Sequence, residues 1–274
     1  MKFGKQNMLF YPLVLSLSKE TSARMVRRAH HERRSIFDYL YFSNKPLLKV
    51  IYFSLLLISP LLLANYQGQY GQDRYVNENF FHNKRNGFFL DIGAHDGITG
   101  SNTYFFEKEL GWQGICFEPL PHLFKKLQET RNCICINKCV AAIEGQLPFL
   151  HVDSVDEMLS GLCATYDPRA LRIVTEDMKT YGGEFKILQL AAVRLDTILA
   201  HYGITHIDFL SLDTEGNELE ILKSIDFSKI TIDVITVENN YNESYINEYL
   251  TNNGFTFVTR IRIDDIYINK NLII

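Results

Sequence analysis

From residue 66 onward, short runs of consecutive apolar residues alternate with stretches in which apolar residues recur every three or four positions, as buried strands alternate with amphipathic helices. Gly87 to Ile92 (GFFLDI), Gly114 to Glu118, Cys133 to Asn137, Ile207 to Leu212 (IDFLSL) and Ile232 to Val237 read as strands. Asp73 to Phe81, Thr103 to Leu110, Asp196 to Tyr202 and Asn217 to Lys223 read as helices, with Leu219 and Leu222 turned inward on the last. Another helix opens at Pro121, whose missing N–H costs nothing in a first turn, and shows Leu123, Phe124 and Leu127 on one face. Repeated strand–helix units predict an α/β fold with a mostly parallel sheet and helices on both faces. Near the end Ser244 is a candidate helix cap and Gly254 a stop, and Phe255–Thr259 with Ile263–Ile268 predict an antiparallel closing pair. The stretch 144–186 breaks the rhythm, with Gly145, Gly161, Pro168 and the Gly182-Gly183 pair, and reads as an irregular insertion able to carry substrate contacts.

Charge separates the chain into two parts. Residues 1–49 hold ten Lys/Arg against three Asp/Glu, so a net charge of −4 for all 274 residues leaves −11 on the remainder. An acidic body argues against nucleic acid, whose phosphates require clustered Lys/Arg. Hydrophobic residues at 46% and charged residues at 22% exclude a wholly disordered chain, a collagen-like repeat and a polytopic membrane protein. Residues 1–65 therefore read as a basic and apolar appendage, and 66–274 as the folded body. Within the appendage, residues 47–64 are the most apolar stretch, interrupted by Lys49, Ser54, Ser59 and Pro60. Fewer than the roughly twenty apolar residues of a bilayer span remain, which leaves three readings open: a peripheral membrane helix, a short span, or a helix packed on the body. The text before about residue 40 also resembles translated repeat elements annexed by an early start codon. Five cysteines, three of them in the run Cys133, Cys135, Cys139, lack zinc-finger spacing and suit small apolar positions in and beside a buried strand of a reduced, cytoplasmic protein.

Three strand ends carry the chemistry. In FFLDIGAHDG, residues 88–97, Asp91 ends a strand and Gly93 and Gly97 turn the chain, at the edge of a parallel sheet where ligands bind. The spacing is not the G-x-G-x-x-G of a dinucleotide site, and His95 and Asp96 make the turn acidic, better suited to a cation than to a pyrophosphate. In ICFEP, Glu118 stands where a carboxylate accepts hydrogen bonds from both hydroxyls of a ribose. In LDTEGNE, Asp213, Glu215 and Glu218 put three acids at a further strand end. A cationic sulfonium donor tolerates that charge and a hydroxyl acceptor needs a base, whereas hydride transfer requires neither. The same acids could instead favour a helix N-terminus or bind a divalent cation, and Glu238 after DVITV reads equally as a supporting residue or a substrate contact.

FLDIGAHDG, GICFEP, SLDTEGNELEIL, VRLDTIL, DVITVE and the Gln69–Asp73 stretch (QYGQD), in that set and order, resemble the FkbM family of S-adenosylmethionine-dependent methyltransferases across about residues 66–268. The resemblance implies a Rossmann-like methyltransferase fold, S-adenosylmethionine as cofactor, and methyl transfer to a hydroxyl of a sugar, another glycan or a secondary metabolite. It further implies that Asp91, Gly93 and Gly97 frame the methionine end of the cofactor, that His95 is a further cofactor-binding residue, that Glu118 holds the ribose, and that Val140 and Ala141 edge the adenine. Asp213 and Glu215 would face the transferred methyl group as candidate bases, with no metal. A nucleotide-sugar or NAD-binding enzyme, and an inactive membrane-tethered binding module, are the alternatives.

Overall fold

The computed structural model describes residues 64–272. The apolar stretch at 47–64, apart from its last residue, lies outside them, as do the basic segment and the repeat-like text before it. No helix among the described residues is long and apolar enough to cross a membrane.

A short helix α1 (Gln72–Val76) runs on through a π-turn, Asn77–Phe81, into strand β1 (Phe88–Ile92). Then come α2 (Tyr104–Leu110), β2 (Gln113–Phe117), α3 (Pro121–Thr130), β3 (Ile134–Ile136) and β4 (Cys139–Val140). The second half holds β5 (Gly145–Asp153), β6 (Gly161–Leu162), α4 (Pro168–Tyr181), β7 (Glu184–Val193), α5 (Leu195–Tyr202), β8 (His206–Leu212) and α6 (Glu218–Lys223). It closes with β9 (Thr231–Glu238), α7 (Ser244–Asn252), β10 (Phe255–Ile261) and β11 (Asp264–Asn269).

Seven strands form the main sheet in the order β3–β2–β1–β8–β9–β11–β10. β1, β2, β3, β8 and β9 are parallel, and β11 runs antiparallel to both β9 and β10. The chain starts at the centre with β1, moves outward to β3 and resumes on the other side of β1 with β8, so the switch point lies between β1 and β8, where open α/β sheets bind ligands. With the reversed hairpin β10–β11 at one edge this is the Rossmann-like methyltransferase topology. One sheet face packs Leu90, Ile92, Ile115, Leu210 and Ile235 against Leu195 and Leu199 of α5, Ile221 and Leu222 of α6, and Ile246 and Leu250 of α7. The other carries an aromatic cluster, in which Phe106 lies 4.7 Å from Trp112 and 5.3 Å from Phe209 between ring centroids. Strands buried on both faces read as continuous apolar runs, which is why these were legible.

Three sequence expectations change. The stretch 144–186 is not irregular: with β4 and β7 it builds a second sheet in the order β4–β7–β5–β6, and it contains the longest described helix, α4. Only the last two residues of β7 are fully buried, so that strand shows no continuous apolar run, whereas α4 is amphipathic with Ala170 and Val174 buried one turn apart, a pattern masked by the Gly and Pro residues around it. β3 is an edge strand with Ile134 39% exposed, so Cys133 and Cys135 are half-buried rather than interior; all five cysteines are free. Ser244 is the first residue of α7 rather than its cap; Glu243, in extended conformation, stands at the cap and makes no capping bond with its side chain.

Candidate active site

The register of the sheet brings four strand ends level. Ile92 pairs with Phe117 on β2 and with Leu212 on β8, and Leu212 pairs with Val237 on β9. The next residues, Glu118, Gly93, Asp213 and Glu238, therefore stand side by side, and Glu238 faces Asp264 on β11. Gly93 holds the row together. Its N–H donates to the Phe117 carbonyl at 3.1 Å, and the Asp213 N–H donates to the Ile92 carbonyl at 3.0 Å. At φ +94°, a Cβ on Gly93 would lie 1.7 Å from the Asp213 carbonyl oxygen, so no other residue fits.

Above the row opens a cavity of about 350 Å³. Of the residues expected at a site, Gly93, His95, Glu118, Val140, Asp213 and Glu215 line it, and Glu238 joins them. Apolar walls come from Phe117, Leu120, Val140 and Phe149, and the turn Met158–Ser160 closes one side. Gln69 and Tyr70 reach it from a loop fixed by Asp73, whose Oδ2 accepts the Gln67 and Gly68 N–H groups at 2.7 and 2.9 Å. Gln72 ties the same loop to Asp264 through a side-chain hydrogen bond.

Glu118 is 5% exposed, and each of its oxygens takes one backbone N–H: Oε2 from His95 at 3.0 Å, Oε1 from Leu120 at 2.8 Å. Burial outweighs these bonds and pushes its carboxyl up to about 7. His95 sits at φ +51° and Glu215 at φ +59°, left-handed conformations that are rare for residues other than Gly and Asn, and both face the cavity. One carboxylate oxygen each from Asp213, Glu215 and Glu238 lies within 4.8 Å of the other two. Burial, then Asp264 and Glu218, push Asp213 up to about 8, while its hydrogen bond with Glu238 pulls the other way. Burial and neighbouring carboxylates raise Glu215 and Glu238 as well. Crowding therefore favours the protonated form within the cluster, and its three carboxyl oxygens are the cavity's candidate bases and cation ligands.

Three expected cofactor residues do not line the cavity. Asp91 lies two residues below the turn, where its Oδ2 accepts the Thr103 hydroxyl at 2.5 Å and the Ser101 hydroxyl at 3.3 Å and faces Arg131 Nη1 at 3.7 Å. Burial raises its pKa despite that arginine, and Arg131, with a fully buried side chain, also pairs with Glu107. Gly97, at φ +83°, is a packing glycine; a Cβ there would meet Thr130 Oγ1 at 2.6 Å and Leu127 Cδ1 at 2.8 Å. Ala141 is buried in the apolar cluster with Leu120 and Phe149, its N–H bonded to the Val193 carbonyl at 3.0 Å. Glu218 turns away from the main cavity and builds the loop before α6, accepting the Thr214 N–H at 2.7 Å, its hydroxyl at 2.8 Å and the Gly216 N–H at 3.0 Å. Sequence reasoning missed Phe149, the turn Met158–Ser160 and Asn217, which lines the cavity and donates to the Val140 carbonyl at 2.9 Å. Asn217 lies within the LDTEGNE motif, where the flanking acids drew the reading, whereas Phe149 and the Met158–Ser160 turn carry no motif and only the loop-rich composition of 144–186 hinted at a wall there.

A sheet of this strand order, with an acidic cavity at its switch point and a buried carboxylate at the end of β2, defines a Rossmann-like methyltransferase. Residues 91–259, more than half of the chain, match the family described as the methyltransferase FkbM domain. The chain belongs to the FkbM methyltransferase family, and its methyl donor is S-adenosylmethionine. Among solved structures, it is similar to a methyltransferase FkbM from Methylobacillus flagellatus KT at 14% identity and a TM-score of 0.38, covering 67% of this chain and 43% of that one. The match thus spans less than half of that protein. A TehB-like SAM-dependent methyltransferase from Corynebacterium glutamicum ATCC 13032 Kitasato is similar at 11% identity and a TM-score of 0.37, over 82% of this chain and 100% of that one. The precorrin-6y C5,15-methyltransferase from Geobacter metallireducens GS-15 is similar at 11% identity and a TM-score of 0.32, over 71% and 84%. No curated protein sequence matches the chain significantly.

Proposed function

We propose that this enzyme methylates a hydroxyl of a small molecule, a sugar or a secondary metabolite, with Asp213 or Glu215 receiving the acceptor's proton. The supporting observation is the cluster of Asp213, Glu215 and Glu238 on one wall of the cavity, whose pKa values are raised by burial first and then by surrounding carboxylates, Asp264 and Glu218 among them. A carboxylate with a raised pKa is a better proton acceptor than an ordinary one and stands closer to the operating pH.

The donor set suits S-adenosylmethionine. Glu118 keeps a lone pair free on each oxygen for the ribose hydroxyls, Val140 and Leu120 offer apolar surface for the adenine, and the carboxyl cluster complements a sulfonium charge. Gly93 and His95 lie on the methionine side of this arrangement, and Asp91 supports it from below through Arg131 and the 97–103 loop. Bound there, the cofactor supplies an electrophilic methyl carbon. The protein then has to hold the acceptor oxygen in line, exclude water and take up one proton. The turn Met158–Ser160 and Tyr70 form the walls that exclude water, and Asp213 and Glu215 take the proton.

The test is release of S-adenosylhomocysteine with a panel of hydroxylated sugars and phenols, for the parent chain and for Asp213→Asn and Glu215→Gln. A base acting only in the transition state loses on the order of a hundredfold in kcat while cofactor affinity changes little. Full turnover in both variants on an accepted substrate overturns the assignment and leaves positioning as the source of rate.

A further inference from the structure

His122, His151 and Glu157 converge beside the cavity without belonging to any role assigned so far. His122 lies in the first turn of α3, His151 near the C-terminal end of β5, and Glu157 opens the 3-10 turn Glu157–Leu159 that forms part of the cavity wall. Both imidazole Nε2 atoms point at one carboxylate oxygen: Glu157 Oε1 lies 2.7 Å from His122 and 3.0 Å from His151. The two rings are 5.6 Å apart between centroids, and one ligand atom from each of the three residues lies within 4.8 Å of the other two.

We propose that these three residues bind a first-row transition-metal dication, with Zn²⁺ as the type. Two neutral imidazoles and a carboxylate are a donor set such ions take, and it leaves a fourth position open. The fit is also metrical. With metal–ligand bonds of about 2.0–2.2 Å, ligand atoms of a tetrahedral site stand roughly 3.3–3.5 Å apart, so the two nitrogen–oxygen separations of 2.7 and 3.0 Å need to open by less than about 1 Å. Exposure is graded as an entry path requires, with the side chain of His122 47% exposed, that of Glu157 27% and that of His151 11%.

Among the described residues, the two other clusters that could hold a metal lack these properties. Asp208 of the His206–Asp208–Asp233 group is taken by Lys84 and by the Phe88 N–H. Asp213, Glu215 and Glu238 contain no imidazole and belong to the active site. Because its three ligands come from α3, β5 and the wall-forming turn, an ion here would clip the turn to the body of the fold and fix one wall of the cofactor cavity. The proposal stands on its own, whatever the methyl acceptor.

The experiment titrates the chelator-treated full chain with Zn²⁺ by calorimetry and with Co²⁺ by visible absorption, in parallel with His122→Ala, His151→Ala and His122→Lys. The last variant keeps a cation beside Glu157 but removes the ligand, and unchanged melting together with retained S-adenosylmethionine binding shows that each variant is folded. The expected result is one equivalent of Zn²⁺ bound by the parent chain, intense d–d bands of a low-coordinate Co²⁺ site, and at least a tenfold loss of affinity in each variant. Binding that persists unchanged in the folded variants, as ligation by the histidines of the N-terminal segment would produce, overturns the proposal. So does the absence of stoichiometric binding to the parent chain.

Discussion

Replacing Asp213 by Asn should stabilise the ligand-free protein at alkaline pH and leave it unchanged at acid pH. In the fold the Asp213 carboxyl is pushed from its usual 3.8 up to about 8, first by burial and then by Asp264 and Glu218. A carboxyl with a raised folded pKa binds its proton more tightly in the native state than in the unfolded chain. Its contribution is therefore fully favourable below the unfolded pKa, and it is lost as the pH rises from about 4 towards about 8. The interval is worth roughly 5–6 kcal/mol at about 1.4 kcal/mol per pH unit. Asp213 shares its proton with Glu238 and opens onto a cavity that admits water, so about half of that, ~2–3 kcal/mol, is expected to go with Asp213 alone. Asn has the shape of the neutral acid and no charge to lose. For a domain of this size ~2–3 kcal/mol corresponds to a rise in Tm of roughly 4–12 °C. The assay is urea denaturation of both proteins at pH 5, where about a third of the effect or less has developed, and at pH 8.5, where it is complete, comparing the midpoints pairwise so that all other titrations cancel. A variant less stable than the parent at the higher pH, or a difference that does not depend on pH, would refute the view that this acid is held there against the interests of the fold.

Other perturbations probe the site's frame. Glu118→Ala is expected to weaken S-adenosylmethionine binding by about 1.5–3 kcal/mol, roughly tenfold to a hundredfold in Kd by calorimetry, and an unchanged Kd removes Glu118 from the cofactor site. Gly93→Ala should destabilise the protein by ~2–4 kcal/mol, because its Cβ meets the Asp213 carbonyl at 1.7 Å in a left-handed conformation; a melting temperature equal to the parent's contradicts this. Arg131→Leu leaves Asp91 and Glu107 buried without their partner, and a loss of ~3–5 kcal/mol is expected in urea denaturation. A loss below about 1 kcal/mol would show that the hydroxyls of Ser101 and Thr103 satisfy Asp91 alone.

The strands of the main sheet were legible because each is an apolar run ending in an acid or a glycine: Ile92-Gly93, Phe117-Glu118, Leu212-Asp213, Val237-Glu238. What a sequence does not display is register. That Ile92 pairs with both Phe117 and Leu212, and Leu212 with Val237, is a property of three pairings, and it is what makes Glu238 a neighbour of Asp213. Nor does the sequence show that Asp91 sits below the turn, or that its partner Arg131 comes from beyond the end of α3. In the ligand-free fold its carboxylate is engaged by Arg131, Ser101 and Thr103. The wall formed by β5 and the Met158–Ser160 turn was invisible because half-exposed strands carrying Pro148 and His151 dilute the alternation that marks a sheet.

The measurement closest to the central claim is calorimetry of the full chain with S-adenosylmethionine, S-adenosylhomocysteine and NAD in buffers of different ionisation enthalpy. A cavity whose carboxyls stand at about 7 and about 8 holds protons at neutral pH, and a sulfonium cation placed among them displaces some. S-adenosylmethionine is expected to bind with release of roughly half a proton or more at pH 7, S-adenosylhomocysteine, which lacks the sulfonium charge, with clearly less, and NAD not at all. Equal proton release for the two S-adenosyl ligands would contradict a cavity tuned to the methyl-donating cation, and binding of NAD in their place would contradict the assignment of the site.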